Sequence, residues 1–268
     1  MFNYCSRNDI GVLYGINDDK FMINDVIVET GDYKGKAGNY ISAVLCDGVG
    51  GQLEGDRAAL ETLKNLKEII KEDVAKEEII EKVKETNDLI RKLQKEENKE
   101  NGLKTTLVGI YANQDVFIYY NLGDSRAYRY RKGYFQRLTR DDSKIQDMLD
   151  REIITEEEAM NHPEKNIINK CIGYSDECEL NIYSSNIGLI PDDIIFLCSD
   201  GVTDVIDDDT LKSIFDKKGS IEESLEEIHS LSLKNGSKDN ISLIIIKKEN
   251  QYGVQAMIEG PGHVPLHQ

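Results

Sequence analysis

The chain has 268 residues, 39% of them hydrophobic and 31% charged, which is long enough to bury the core of one large or two small domains and too long for a disulfide- or metal-stapled mini-protein. Apolar clusters recur throughout, so the high charge content belongs to a folded chain and not a disordered one. With 33 Lys and Arg against 50 Asp and Glu the net charge is −17, a field that repels nucleic-acid phosphates and anionic lipid surfaces and fits either a collector of divalent cations or a heavily charged helical surface.

In chain order, Val26–Thr30 and Tyr40–Cys46 are β-branched and apolar, with Gly31, Gly35 and Gly38 between them, and are expected to form a hairpin. After the glycines at 48, 50, 51 and 55 the period changes. Leu60, Leu63, Leu66, Ile69 and Ile70, then Ile79, Ile80, Val83, Ile90 and Leu93, recur at helical spacing and predict two long amphipathic helices. The Glu and Lys residues between them supply i,i+4 pairs on a solvated face. Thr105–Ala112, Val116–Asn121 and Ala127–Arg131 read as an antiparallel meander, turned at Asn113-Gln114 and at Gly123-Asp124-Ser125. Residues 141–178 are polar, with short helical stretches around Lys144–Arg151 and Glu156–Asn161, and an insert of that size often covers a site. Ile194–Cys198 and Ile241–Lys247 are strands, and Ser220–Leu233 is a helix. No repeat of 20–50 residues is present.

Cys5, Cys46, Cys171, Cys178 and Cys198 are odd in number and lack C-x₂-C spacing, so they are expected to be reduced thiols in a cytosolic protein. No apolar run approaches the ~20 residues of a membrane span, and the start MFNYCSRNDIG has neither the basic nor the apolar region of a signal peptide. A cytoplasmic location follows as the expectation.

Single aspartates fall at strand ends. Asp47 closes ISAVLC, Asp200 closes IIFLCS, Asp239 precedes ISLIII, Asp124 lies between two strands, and Asp19 follows Asn17-Asp18. Each alone reads as a turn residue. Together they have the character of a hard-cation site, because Mg²⁺, Mn²⁺ and Ca²⁺ take oxygen ligands from several segments, and Gly48 would leave a main-chain carbonyl free to approach an ion.

In order along the chain, NDD at 17–19, VLCDGVGG at 44–51, KTTLVGIY at 104–111, NLGDSRAYRYRKG at 121–133, LTRDDS at 138–143, IIFLCSDGVTDVI at 194–206 and SKDNISLIII at 237–246 resemble the motifs of the type 2C, metal-dependent (PPM) serine/threonine protein phosphatases of bacterial type. The resemblance spans residues 1–248 and implies a single α+β domain, an α/β/β/α sandwich of two antiparallel sheets flanked by antiparallel helix pairs, with residues 141–178 as a flap beside the cleft. It implies two Mn²⁺ or Mg²⁺ ions: Asp47 bridging both, Asp19 and the Gly48 carbonyl on one, Asp200 and Asp239 on the other, and Asp124 with Asp200 at a third. A water bridging the ions would then attack phosphoserine or phosphothreonine in line, without a covalent phosphoenzyme. The implied partners are phosphoprotein substrates, opposite a serine/threonine kinase, with the enzyme a monomer.

The chain also departs from the pattern. Tyr14 stands where many members have a phosphate-binding arginine, and Arg7 is the neighbouring candidate, although a surface ion pair is its simpler reading. Val49 replaces the histidine of DGHGG. His162, His229, His263 and His267 match no catalytic position and read as surface residues. The departure at Tyr14 motivates a second reading, a non-catalytic phosphoprotein-binding module that keeps the fold. The tail GVQAMIEGPGHVPLHQ resembles a short segment of phosphomethylpyrimidine synthase, and residues 251–268 read as an appended tag or extension without a fold of its own.

Overall fold

The computed structural model describes residues 1–13, 15–49, 54–99, 102–160 and 162–250. The chain opens with β1 (Phe2–Asp9), β2 (Lys20–Ile23), β3 (Val26–Val28), β4 (Gly31–Ala37), β5 (Ile41–Cys46) and the short β6 (Gly48–Val49). Helices α1 (Glu54–Lys67) and α2 (Lys76–Glu96) follow, then β7 (Lys104–Thr105), β8 (Leu107–Ala112), β9 (Phe117–Leu122), β10 (Arg126–Arg131) and β11 (Tyr134–Arg137). The polar insert carries α3 (Lys144–Asp150) and α4 (Glu156–Met160). The chain then continues through β12 (Asn181–Ser185), β13 (Ile194–Cys198), α5 (Asp200–Thr203), α6 (Asp208–Asp216), α7 (Ile221–Lys234) and β14 (Ile241–Lys248).

Two six-stranded antiparallel sheets result, in the orders β11-β10-β13-β14-β1-β4 and β12-β9-β8-β5-β2-β3. Their central strands β5, β8, β13 and β14 are apolar on both faces because each sheet is covered twice. In β5, Ile41, Ala43 and Leu45 face the other sheet, while Val44 and Cys46 face α1 and α2. In β14, Ile244 and Ile246 point between the sheets, and Leu243 and Ile245 pack under α6 and α7. Period-2 alternation thus fills three apolar layers between four structural layers. The outer helices are set by their ends. At α7, Ser220 Oγ accepts from the Glu223 amide at 3.1 Å while Glu223 Oε2 accepts from the Ser220 amide at 2.8 Å, a reciprocal cap.

Two pairings expected from sequence are corrected. The segments 26–30 and 40–46 are not a hairpin: β2 lies between β3 and β5, and the glycine-rich stretch between the segments is strand β4, which joins the other sheet beside β1. GDYKGKA reads as a turn because an edge strand carries charge and glycine on its exposed face. The meander also breaks after β9, since β10 crosses to the other sheet and pairs with β13. The crossing is made at Gly123, whose φ of +117° suits glycine.

Ile244 is fully buried between the sheets. Ile244→Ala should cost about 2–5 kcal/mol, read as a lower urea midpoint at unchanged denaturant slope.

Candidate metal centre

All five aspartates singled out by sequence stand at one end of the sandwich. Asp19 precedes β2 and Asp47 follows β5, and these strands are neighbours, with Lys20 opposite Cys46. Asp200 follows β13 and Asp239 precedes β14, again neighbours, with Cys198 opposite Leu243. Asp124 lies in the crossing from one sheet to the other. Gly48 packs against the start of α1 so tightly that a Cβ on it would lie 2.4 Å from the Gly55 carbonyl carbon, a contact no side chain permits.

A polar frame holds each carboxylate-bearing loop. The Asp47 carbonyl accepts from Thr105 Oγ1 at 2.9 Å and from the Thr106 amide at 2.8 Å, and the Asp47 amide donates to Thr106 Oγ1 at 3.0 Å. Thr106 Oγ1 also lies 2.8 Å from Ser125 Oγ, tying Asp47 to the Asp124 loop. Buried Asn8 donates to the carbonyls of Asp19 and Glu29, both at 2.9 Å, and its Oδ1 accepts from Asn17 and Ser242. Asn240 accepts from the Asp18 amide at 2.8 Å and donates to the carbonyls of Ile10 and Ile16, while its own amide donates to Asp239 Oδ1. Lys20, nearly fully buried, donates to the Asn17 carbonyl at 2.6 Å and pairs with Asp56 at the start of α1.

The electrostatics are those of buried like charges that make no ion pair among the described residues, with Lys20 and Arg126 only partly offsetting Asp19 and Asp124. Burial pushes the Asp19 and Asp124 carboxyls up to about 7 each. Burial, and then the neighbouring Asp19, Asp200, Asp239 and Asp124, hold Asp47 well above the usual carboxylate range. Asp200 is raised in the same way by burial, Asp124 and Asp239, and Asp239 chiefly by burial. One buried oxygen on each of Asp19, Asp124 and Asp200 has no hydrogen-bond partner among the described residues. Orphaned buried carboxylate oxygens gathered at one end of the sheets are the donor type a hard cation takes. Among the described residues no group of three or more His, Cys, Asp or Glu side chains stands at metal-holding spacing. A hard cation held here would complete its shell with water and main-chain oxygen.

Residues 29–241 match the protein phosphatase 2C family. The chain belongs to that family. It is a phosphoprotein phosphatase of the serine/threonine class, and its bacterial relatives agree. The serine/threonine phosphatase stp of Listeria monocytogenes is 28% identical over 254 residues, 91% of this chain and 94% of its own. The structure of the serine/threonine phosphatase Stp1 from Staphylococcus aureus superposes with a TM-score of 0.80 at 27% identity, over 93% of this chain and 96% of that one. The catalytic domain of the serine/threonine phosphatase PstP, solved in complex with two manganese ions, shares the fold at a TM-score of 0.76 and 23% identity, over 93% of this chain and 100% of that one.

The remaining sequence candidates lie elsewhere. Arg7 is engaged by Asp32 at 2.7 Å and by Glu226 at 2.9 Å on the α7 side of β1. His229 corrects the surface reading: it is buried, with Nε2 2.9 Å from Asp9 and Nδ1 3.1 Å from Arg7. His162 is half-buried in the insert, its Nδ1 accepting from the Glu164 amide at 3.2 Å. Val49 lies in β6, paired with Lys104. Tyr14, His263 and His267 fall outside the described residues. Sequence reasoning missed Asn8, Asn17, Asn240, Thr105 and Thr106. Their signal was polar residues inside strands or directly beside the aspartates.

The raised carboxyls give a pH dependence. In chelator, folding adds protons to Asp19 and Asp124 that the unfolded chain releases near pH 4. That contribution to stability is complete below the unfolded value and is lost as pH rises through about 7. Thermal melts in chelator should therefore fall by roughly several degrees between about pH 5.5 and pH 8, and saturating Mn²⁺ should flatten the slope.

Proposed function

We propose that the chain hydrolyses phosphoserine and phosphothreonine monoesters by direct attack of water, using two Mn²⁺ or Mg²⁺ ions. The observation that carries this reading is the set of three buried, unpartnered carboxylate oxygens at one rim, on Asp19, Asp124 and Asp200. The manganese-bound relative of the same fold supports it. Asp47 would lie between the two ions, Asp19 and the Gly48 carbonyl would hold one, and Asp200 with Asp239 the other. Asp124 with Asp200 is the place for a third. Such ions supply a water of lowered pKa and neutralise the phosphoryl oxygens.

The protein's part is to hold those carboxylates in place. Thr105 and Thr106 fix the main chain of Asp47, Asn8 that of Asp19, and Asn240 ties the Asp18 and Asp239 segments together. The oxygen of water bonds to phosphorus, the phosphorus–ester oxygen bond breaks, and the serine or threonine hydroxyl leaves with a proton that came from the water. Asp19 and Asp124, whose carboxyls sit near neutrality when no cation is present, would hold a cation in their ionised form and so give up their protons to solvent on binding it. The substrates are phosphoproteins made by a serine/threonine kinase, and the enzyme acts as a cytoplasmic monomer. No described helix is long and apolar enough to cross a membrane.

Asp47→Asn and Asp200→Asn should each lower kcat/KM on a phosphothreonine peptide by roughly 100-fold or more. Calorimetry should show a matching loss of Mn²⁺ affinity, and wild-type values for both quantities would reject the site. Residues 1–248 form the catalytic domain in this reading. Deleting 251–268 should leave turnover and melting temperature unchanged, because the last core strand, β14, ends at Lys248.

A further inference from the structure

Beside the carboxylate rim lies a cavity of about 420 Å³. Its floor is Asp124 and Asp200, each with an unpartnered buried oxygen, and Asp124 is nine-tenths buried. One wall is the insert, through α3 and α4, and the other is the segment from α5 to the start of α6. The two walls are joined by Lys165 of the insert, 2.8 Å from Asp204.

The charge of this cavity is one-sided. Three cations line it, and each is ion-paired, Arg126 and Arg137 with Asp141 and Lys165 with Asp204, although the buried Nε of Arg137 has no hydrogen-bond partner among the described residues. Glu156 and Glu157 on one wall, and Asp207, Asp208 and Asp209 on the other, are exposed and make no ion pair among the described residues. Helix starts account for part of this. Asp207 accepts from the Thr210 amide at 2.7 Å, and acids are favoured in a first helical turn. That preference does not explain why two such acidic rows face each other across one cavity, where like charges repel. Surface acids elsewhere in this chain are repeatedly matched, as in Glu61 with Lys64, Glu85 with Lys82 and Asp216 with Lys212.

We propose that this cavity receives the residues flanking the phosphorylated one and selects substrates with arginine or lysine beside the phosphoserine or phosphothreonine. The inference rests on the phosphatase reading above, which places the phosphate at the rim forming the cavity floor. An extended peptide advances ~3.3 Å per residue, so the side chains next to the phosphorylated residue enter between the two walls. There a guanidinium or ammonium meets carboxylates that no internal cation satisfies, and an arginine can engage a carboxylate with two hydrogen bonds.

The test compares two phosphothreonine peptides that differ only in carrying arginine or glutamate on either side of the phosphorylated residue. Wild-type kcat/KM should favour the arginine peptide by about tenfold or more at low salt, and this preference should shrink at about 0.5 M NaCl. The triple variant Glu156→Gln, Glu157→Gln, Asp209→Asn should reduce the ratio to about threefold or less. Anisotropy of matched peptides carrying a hydrolysis-resistant phosphonate, with Mn²⁺ present, reads the same preference without turnover. A small aryl phosphate, too short to reach the walls, reports on the rim alone: if it is not turned over while the phosphonate peptides still discriminate, the phosphatase reading fails and the cavity assignment stands. Equal use and equal binding of the two peptides by wild type, or an undiminished preference in the triple variant, would overturn the proposal.

Discussion

Mutual repulsion among five aspartates at one rim is the constraint to which the rest of the structure answers. Burial away from water opposes ionisation first and neighbouring carboxylates add to it, which is why Asp19 and Asp124 rise to about 7, Asp124 with Asp141 as its main carboxylate neighbour, and Asp47 and Asp200 rise as well. A chain left to itself would let such groups swing apart into solvent. Here the loops that carry them are held mainly by main-chain hydrogen bonds to neutral amides and hydroxyls, which add no charge to the rim, Lys20 on the Asn17 and Asp19 carbonyls being the charged donor. Asn8, Asn240 and Thr106 each touch more than one of these loops. Uncharged clamps leave the negative field intact for a cation, whereas an internal lysine or arginine would have cancelled it.

The nearest buried cation shows the same arrangement. Lys20 sits next to Asp19 in sequence but donates to the Asn17 carbonyl and pairs with Asp56, so its charge is spent on the start of α1. Arg126 and Arg137, close to Asp124, are likewise taken up by Asp141. The cations of this region are therefore matched to acids outside the rim, and the rim aspartates make no ion pair among the described residues.

Legibility in the sequence followed burial. Strands β5, β8, β13 and β14 are apolar on both faces and read directly, as did α1, α2 and α7 from their periodicity. Strand β1 was missed because Asn3, Ser6, Arg7 and Asn8 make it polar, yet two of these build the site and the α7 ion-pair cluster. Strand β4 was missed because edge strands resemble turns. Pairing order was not readable, since the alternation that marks a strand does not name its neighbour. The aspartates were visible because strand ends carry them, and the motifs supplied their grouping. His229 misled because its partners Asp9 and Arg7 are 220 and 222 positions away in the chain.

The passage from β9 to β10 spans only Gly123, Asp124 and Ser125, and it moves the chain from one sheet to the other. Asp19 and Asp47 extend from the first of these sheets, and Asp200 and Asp239 from the second. The carboxylate spacing is thus a gauge of how the two sheets are aligned, and a slip of one residue, ~3.3 Å, would carry one half of the rim past the other. The three-residue strap prevents that slip at the end where it would matter. If the rim holds a cation as proposed, that ion would complete the clasp, so interlayer packing and ion occupancy would strengthen or weaken together, and a substitution deep between the sheets would be felt at the rim as a change in grip on the ion.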